Sequence, residues 1–150
     1  MALKEQINND LKAALLGGNR FAGEVLRGLK SVILNEEVAK GLRYEGLADS
    51  VIEELIVREV KKRNESAEIY DNANRPELAI NERSEAEILN TYLPKQLSET
   101  EIAAVIDRTI AEIGICNMSV MGQVIGSVKK ELGSTASGSL IAQLVKSKLN

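Results

Sequence analysis

Four lysines, Lys129, Lys130, Lys146 and Lys148, stand against a single acid, Glu131, in residues 118–149 of a chain whose formal net charge is −3. Ammonium groups without carboxylate neighbours are suited to phosphate oxygens. Gly122 and Gly126 precede them, one helical turn apart, within the stretch MGQVIGSVKKELG. Inside a helix each glycine costs about 1 kcal/mol against alanine, so the pair suggests close approach by another surface. The bland alternative is that the glycines only let short helices close on one another, with the lysines as ordinary solvated surface. Gly122, Gly126, Lys129, Lys130 and Lys146 form the candidate contact face. The four lysines and one glutamate of residues 114–150 leave a local charge of about +3. Such a face could meet roughly two to four phosphates, too few for tight binding by charge alone.

The missing residues narrow the chemistry further. A histidine count of 0 removes the commonest general base and the commonest metal ligand together. With Cys116 as the single cysteine, there is neither an internal disulfide nor a thiolate zinc site, and no cofactor or metal is expected. A Walker-type phosphate loop and a calcium loop are absent from the sequence. Catalysis would have to rest on Asp, Glu, Lys or Tyr alone. The opening residues MALKEQINND have neither the apolar core of a signal peptide nor an Arg- and Ser-rich transit pattern, so the expected compartment is the cytosol. No apolar run approaches the ~20 residues that span a bilayer, so no membrane partner is expected.

Other charged groups have simpler readings. Arg58, Lys61, Lys62 and Arg63 could follow a phosphate backbone, but Glu54 and Glu59 precede Arg58 and Arg63 by four residues, the spacing of helix ion pairs. Arg20, Arg27 and Lys30 read as an exterior stripe. Adjacent acids such as Glu36 with Glu37, Glu53 with Glu54, and the nearby pair Glu85 and Glu87, read as solvated surface, since neighbours on a helix point ~100° apart. Cys116 reads as a small apolar residue or an idle thiol. Phe21, Tyr44, Tyr70 and Tyr92 all lie outside the lysine-bearing segment, which therefore offers no aromatic platform for unpaired bases. Any nucleic acid held there would be read as a folded shape through its backbone.

The elements that must position these groups follow a helical period throughout, and the fold class is all-α. Leu3, Ile7, Leu11 and Leu15 recur at spacing four and stop at Gly17 and Gly18. A second helix starts at Asn19, buries Val25, Leu29, Val32 and Ile33, and ends before Gly41. A third is expected from a capping box of Ser50 and Glu53 to about Tyr70, and a fourth from Pro76 to Tyr92, with Pro94 ending it. The composition changes in YLPKQLS, where Ser98 and Glu101 form another capping box flanked by Leu97 and Ile102. That places an N-terminal four-helix subdomain over residues 1–96 and a three-helix bundle over 97–150. The bundle's helices carry Ile102, Val105, Ile106, Ile110 and Ile113, then Met121, Val124, Ile125, Val128 and Leu132, then Leu140, Ile141, Leu144, Val145 and Leu149. A chain of 150 residues buries about two thirds of its unfolded surface, enough for one domain or two small packed ones.

Along the whole chain these stretches resemble the YqeY family. NRFAGEVLRGLKSVILNEEVAKG, REVKKRNESAEIYDNANRPELA, EAEILNTYLPKQLSETEI, and MGQVIGSVKKELG followed by SLIAQLVKSKL carry the resemblance, with YLPKQLS followed by MGxVxG the most specific combination. The family is related to the C-terminal tail domain of the bacterial aspartyl/glutamyl-tRNA amidotransferase, usually called the GatB/YqeY domain. The resemblance implies two helical subdomains and a partner that is tRNA or a tRNA-handling enzyme. It also carries an association with carbon–nitrogen ligation using glutamine as amide donor, but the ATP-using catalytic domain has no counterpart here, and no residues that could perform that reaction stand out. Family members usually place GRAD or GKAD between the last two helices, whereas this chain has Ser134, Thr135, Ala136 and Ser137. Thr135 stands where the basic residue would face a phosphate. The expectation is a non-catalytic, tRNA-binding helical module, with a protein–protein adaptor of no RNA role as the alternative and an amido-ligase as a weaker third.

Overall fold

A computed structural model describes residues 2–150, and every regular element in them is helical. Seven α-helices follow in order: α1 Leu3–Leu16, α2 Arg20–Ala39, α3 Asp49–Asn72, α4 Pro76–Asn90, α5 Glu99–Ile113, α6 Met121–Leu132 and α7 Gly138–Leu149. Short 3-10 turns at Met118–Val120 and Gly133–Thr135 flank α6. The chain divides into two compact units, Met1–Leu93 with α1 to α4 and Pro94–Asn150 with α5 to α7.

In the first unit the i, i+4 apolar pattern becomes a core of Ile7, Leu29, Ile33, Ile52, Ile56 and Leu89 with their neighbours. Asn19 caps α2 by accepting the Ala22 N–H at 3.1 Å. Three expectations are corrected by tertiary contacts. Leu15 continues the period of α1 but is half exposed, resting instead over Gly23 of α2. A Cβ on Gly23 would lie 3.2 Å from Leu15 Cδ2, so a side chain there would push the leucine tip aside by a few tenths of an ångström. The capping box at Ser50 does not form, because α3 begins one residue earlier at Asp49. The Asp49 carboxylate is spent elsewhere: Oδ1 accepts the Leu3 N–H at 3.1 Å and so caps α1, whose own N-cap, Ala2, has no side-chain acceptor. Glu37, read above as surface, is fully buried, and Lys4 neutralises it across the α1–α2 contact.

The second unit packs a separate core of Ile102, Ile106, Val124, Val128, Ile141 and Val145, to which Val120, Ala136 and Leu149 add. Ser98 caps α5 by accepting the Glu101 N–H at 3.2 Å, and Gly114 ends it in the left-handed conformation at φ 80. Helices α6 and α7 form an antiparallel hairpin. Lys129, near the end of α6, meets Gly138 at the start of α7, while Cys116, just before α6, points its thiol at the Lys148 carbonyl near the end of α7.

Candidate nucleic-acid interface

Helix α6 buries Val124 and Val128 and turns Gly122, Gly126, Lys129 and Lys130 outward. At ~100° per residue these four fall within about a quarter to a third of the helix circumference. Nothing lies within 4 Å of where a Cβ would stand on Gly122 or Gly126. Within this unit the two glycines therefore close no internal contact. They leave a low, open strip beside the lysines.

Lys129 does not reach straight into solvent. Its stem lies across Gly138, where a Cβ would come within 3.0 Å of Lys129 Cε and 3.1 Å of Nζ. This seats an ammonium over the first residue of α7, where the helix dipole is already positive. Like charges are concentrated there, an arrangement relieved by an anion. The Ser137 hydroxyl caps the same helix by accepting the Leu140 N–H at 3.2 Å. Thr135, in place of the family's basic residue, turns its hydroxyl inward and donates to the Leu132 carbonyl at 2.6 Å. It closes the turn and presents no charge.

The ion pairs of the unit sort its charges. Lys148 pairs with Asp107 of α5 at 2.8 Å, and Glu131 is engaged by Arg108 of the same helix. The Glu131 hydrogen bond holds the Arg108 guanidinium above its ordinary pKa. The one acid of the segment is thus turned to the α5 side of the hairpin. Lys146 is exposed, and its position ~100° from the buried line of Ile141 and Val145 puts it on the flank of α7 opposite Lys148. In the antiparallel hairpin Lys146, near the end of α7, lies toward the Gly122 end of α6, with Lys129 at the other. Lys129, Lys130 and Lys146 make no ion pair among the described residues.

Of the other basic groups named above, Arg27, Lys30 and Arg58 make no ion pair among the described residues, so the expected Glu54–Arg58 pair does not form, while the rest are committed. Arg20 pairs with Glu24 at 3.4 Å, Lys61 with Glu65 at 3.8 Å and Lys62 with Glu59 at 3.3 Å. Arg63 donates to Glu59 at 2.8 Å, and its Nε lies 3.4 Å from Glu85, near enough for attraction but out of line for a hydrogen bond. Sequence reasoning missed Gln96. Its amide donates to the Ser134 carbonyl at 2.8 Å, in the turn beside the lysines, and no local pattern announces a contact across 38 residues. Among the described residues no three His, Cys, Asp or Glu side chains are grouped to hold a metal ion, and no helix is long and apolar enough to cross a membrane.

Comparison with known proteins decides the family. The model of the family described as YqeY-like protein matches residues 4–149, nearly the whole chain. The chain belongs to the YqeY family. Among its curated relatives is "Altered inheritance of mitochondria protein 41, mitochondrial" of Lachancea thermotolerans, 31% identical over 117 residues that cover 76% of this chain. The match spans only 61% of that relative's length. Proteins of the same name from Clavispora lusitaniae and Pyrenophora tritici-repentis are each 27% identical, over 97% and 83% of this chain and 86% and 70% of their own lengths. These names overturn the cytosolic expectation. That expectation rested on the ten residues MALKEQINND, whereas similarity to proteins named as mitochondrial runs over 117 residues or more. The printed names state a compartment and a process, and no ligand.

Proposed function

We propose that this YqeY-family chain is a non-catalytic helical module that binds folded RNA of the tRNA type through the α6–α7 face. The observation that carries the reading is the sorting of charge in the second unit. Glu131 and Lys148 are neutralised on the α5 side, while Lys129, Lys130 and Lys146 remain unpaired beside the open strip of Gly122 and Gly126. Three lysines would meet roughly three phosphates, and the glycines let a backbone come close to the helix. With no aromatic side chain in this unit, recognition would be of shape rather than of base identity.

The test is binding of the whole protein to deacylated tRNA, followed by fluorescence anisotropy over a range of salt. Replacing both Lys129 and Lys130 by Ala is expected to weaken binding and to flatten the log–log salt dependence by roughly 0.7–0.9 per lost contact. Wild-type affinity no tighter than that of an unrelated acidic protein, and unchanged by the pair of substitutions, defeats the reading. The open glycine strip would then favour an adaptor that seats a partner helix.

A further inference from the structure

The segment that enters the second unit does not run free into α5. Leu97 N–H donates to the Thr135 carbonyl at 2.8 Å. One residue earlier, Gln96 Nε2 donates to the Ser134 carbonyl at 2.8 Å and to the Pro94 carbonyl at 2.9 Å. Only an amide nitrogen can face two carbonyls, so the chemistry fixes which way this side chain points. Residues 94–98 are thereby strapped across the turn that joins α6 to α7.

That turn is held from within by the Gly133 N–H on the Lys129 carbonyl and by the buried Ala136, and the strap adds a hold from outside. Gly133 adopts φ 54, ψ −130, open to glycine and strained for other residues, and the following residues are small and hydroxylated. A further brace is the Thr135 hydroxyl on the Leu132 carbonyl. The turn sets where α6 ends relative to Gly138, and so where Lys129 is seated.

We infer that Gln96 is a positioning residue for the lysine face: it clamps the Ser134–Thr135 turn to the entering segment and so holds Lys129 in place over Gly138. The inference rests on the RNA reading for its consequence, but its geometric half stands apart from it. Gln96 is uncharged, so it adds no phosphate contact. Its contribution is to hold the turn in place before a ligand arrives. A lysine contact and a positioning contact therefore separate cleanly in a salt titration, because only the first releases counterions.

The experiment uses the whole protein with Gln96→Met, which keeps the length of the side chain and removes the donor. Three readouts are taken: the Leu97 amide exchange rate, the nuclear Overhauser contact between the Lys129 Hε and Gly138 Hα protons, and tRNA affinity across salt. Faster Leu97 exchange, a weakened Lys129–Gly138 contact, and affinity reduced roughly two- to fivefold with the salt slope unchanged are expected, since of the two neutral hydrogen bonds lost only the one to Ser134 reaches the turn. A Lys129–Gly138 contact that persists at full strength overturns the inference, whatever the RNA result. So does an unchanged affinity where the wild type binds, or a flattened salt slope, which would make Gln96 a direct contact. Should wild type fail to bind tRNA, the proposed function falls, while the proton contact still decides whether Gln96 positions Lys129.

Discussion

Lys4 and Glu37 lock the first two helices together through a single charge pair: Nζ lies 2.6 Å from one carboxylate oxygen and 2.9 Å from the other, and Glu37 is only 1% exposed. The lysine comes in from the rim, since its side chain keeps 38% of its exposure, and its stem bridges core to solvent. A carboxylate in that position is tolerated because the ammonium answers both of its oxygens.

Lys4→Met should therefore destabilise the protein by about 2–3 kcal/mol, below the usual range for a fully buried pair because water reaches one partner. The double variant Lys4→Met with Glu37→Met, with no stranded charge, should recover part of that loss. Chemical denaturation of the four proteins of the cycle measures the coupling. A single variant within ~0.5 kcal/mol of wild type would show that Glu37 finds water or another donor.

Tyr92 and Asp10 give the first unit a pH dependence at the alkaline end. The phenol donates to Asp10 Oδ2 at 2.6 Å across 82 residues of chain. Burial, followed by this bond and the charge of Asp10, raises the Tyr92 pKa above its ordinary value of 10.0. A raised acid pKa means that the folded state keeps its proton while the unfolded state gives it up. The contribution is whole below about pH 10 and is lost as pH climbs above it. In urea melts from pH 8 to 11, wild type should lose stability more steeply than Tyr92→Phe above pH 10. Parallel curves would mean that the hydroxyl is solvated. Comparison with the Phe variant isolates the Tyr92 hydroxyl from everything else that changes with pH.

What the sequence made legible were features decided within a few residues. Asn19, Ser98 and Gly114 announce helix ends because a cap is a bond to a residue three or four places away, and the apolar period of α5 is visible for the same reason. Glu37 was invisible because its partner is 33 residues distant and nothing around it distinguishes it from Glu36. The Ser50 capping box misled for a related reason: α3 begins at Asp49, whose carboxylate caps α1 and so serves a distant helix. The lysines of the candidate site were legible as a composition bias, but that Glu131 and Lys148 face α5 while Lys129 lies over Gly138 is set only by the packing of three helices.

The boundary between the two units offers a sharper test than cutting at a composition change. We propose that residues 94–150 fold alone, because their core shares no residue with that of α1 to α4. A unit of this size is expected to be helical but only weakly stable. Starting the fragment at Ser98 instead removes Gln96, and Leu97 with its bond to Thr135 and its apolar contact with the core. Circular dichroism melts should find the shorter fragment less stable by about 1–2 kcal/mol. Two fragments that melt alike would show that the strap contributes nothing to folding, and a longer fragment that is coil at low temperature would show that the units fold only together.

Gly122 and Gly126 separate stability from binding, since the space above both is open. Gly122→Ala and Gly126→Ala should each stabilise the protein by up to about 1 kcal/mol, the ordinary gain from replacing an exposed mid-helix glycine. Gly138→Ala is the contrasting case: its new Cβ would meet Lys129 Cε at 3.0 Å, and the lysine must give way by a few tenths of an ångström. If the strip of α6 is a contact surface, the first two variants raise the melting temperature while weakening the ligand, because added methyl groups hold a docked backbone away from the helix. Gly138→Ala should weaken the ligand by moving one charge, with little change in melting temperature. Alanine variants that are more stable and bind tRNA as tightly as wild type would remove the glycine strip from the interface and leave the lysines to carry it alone.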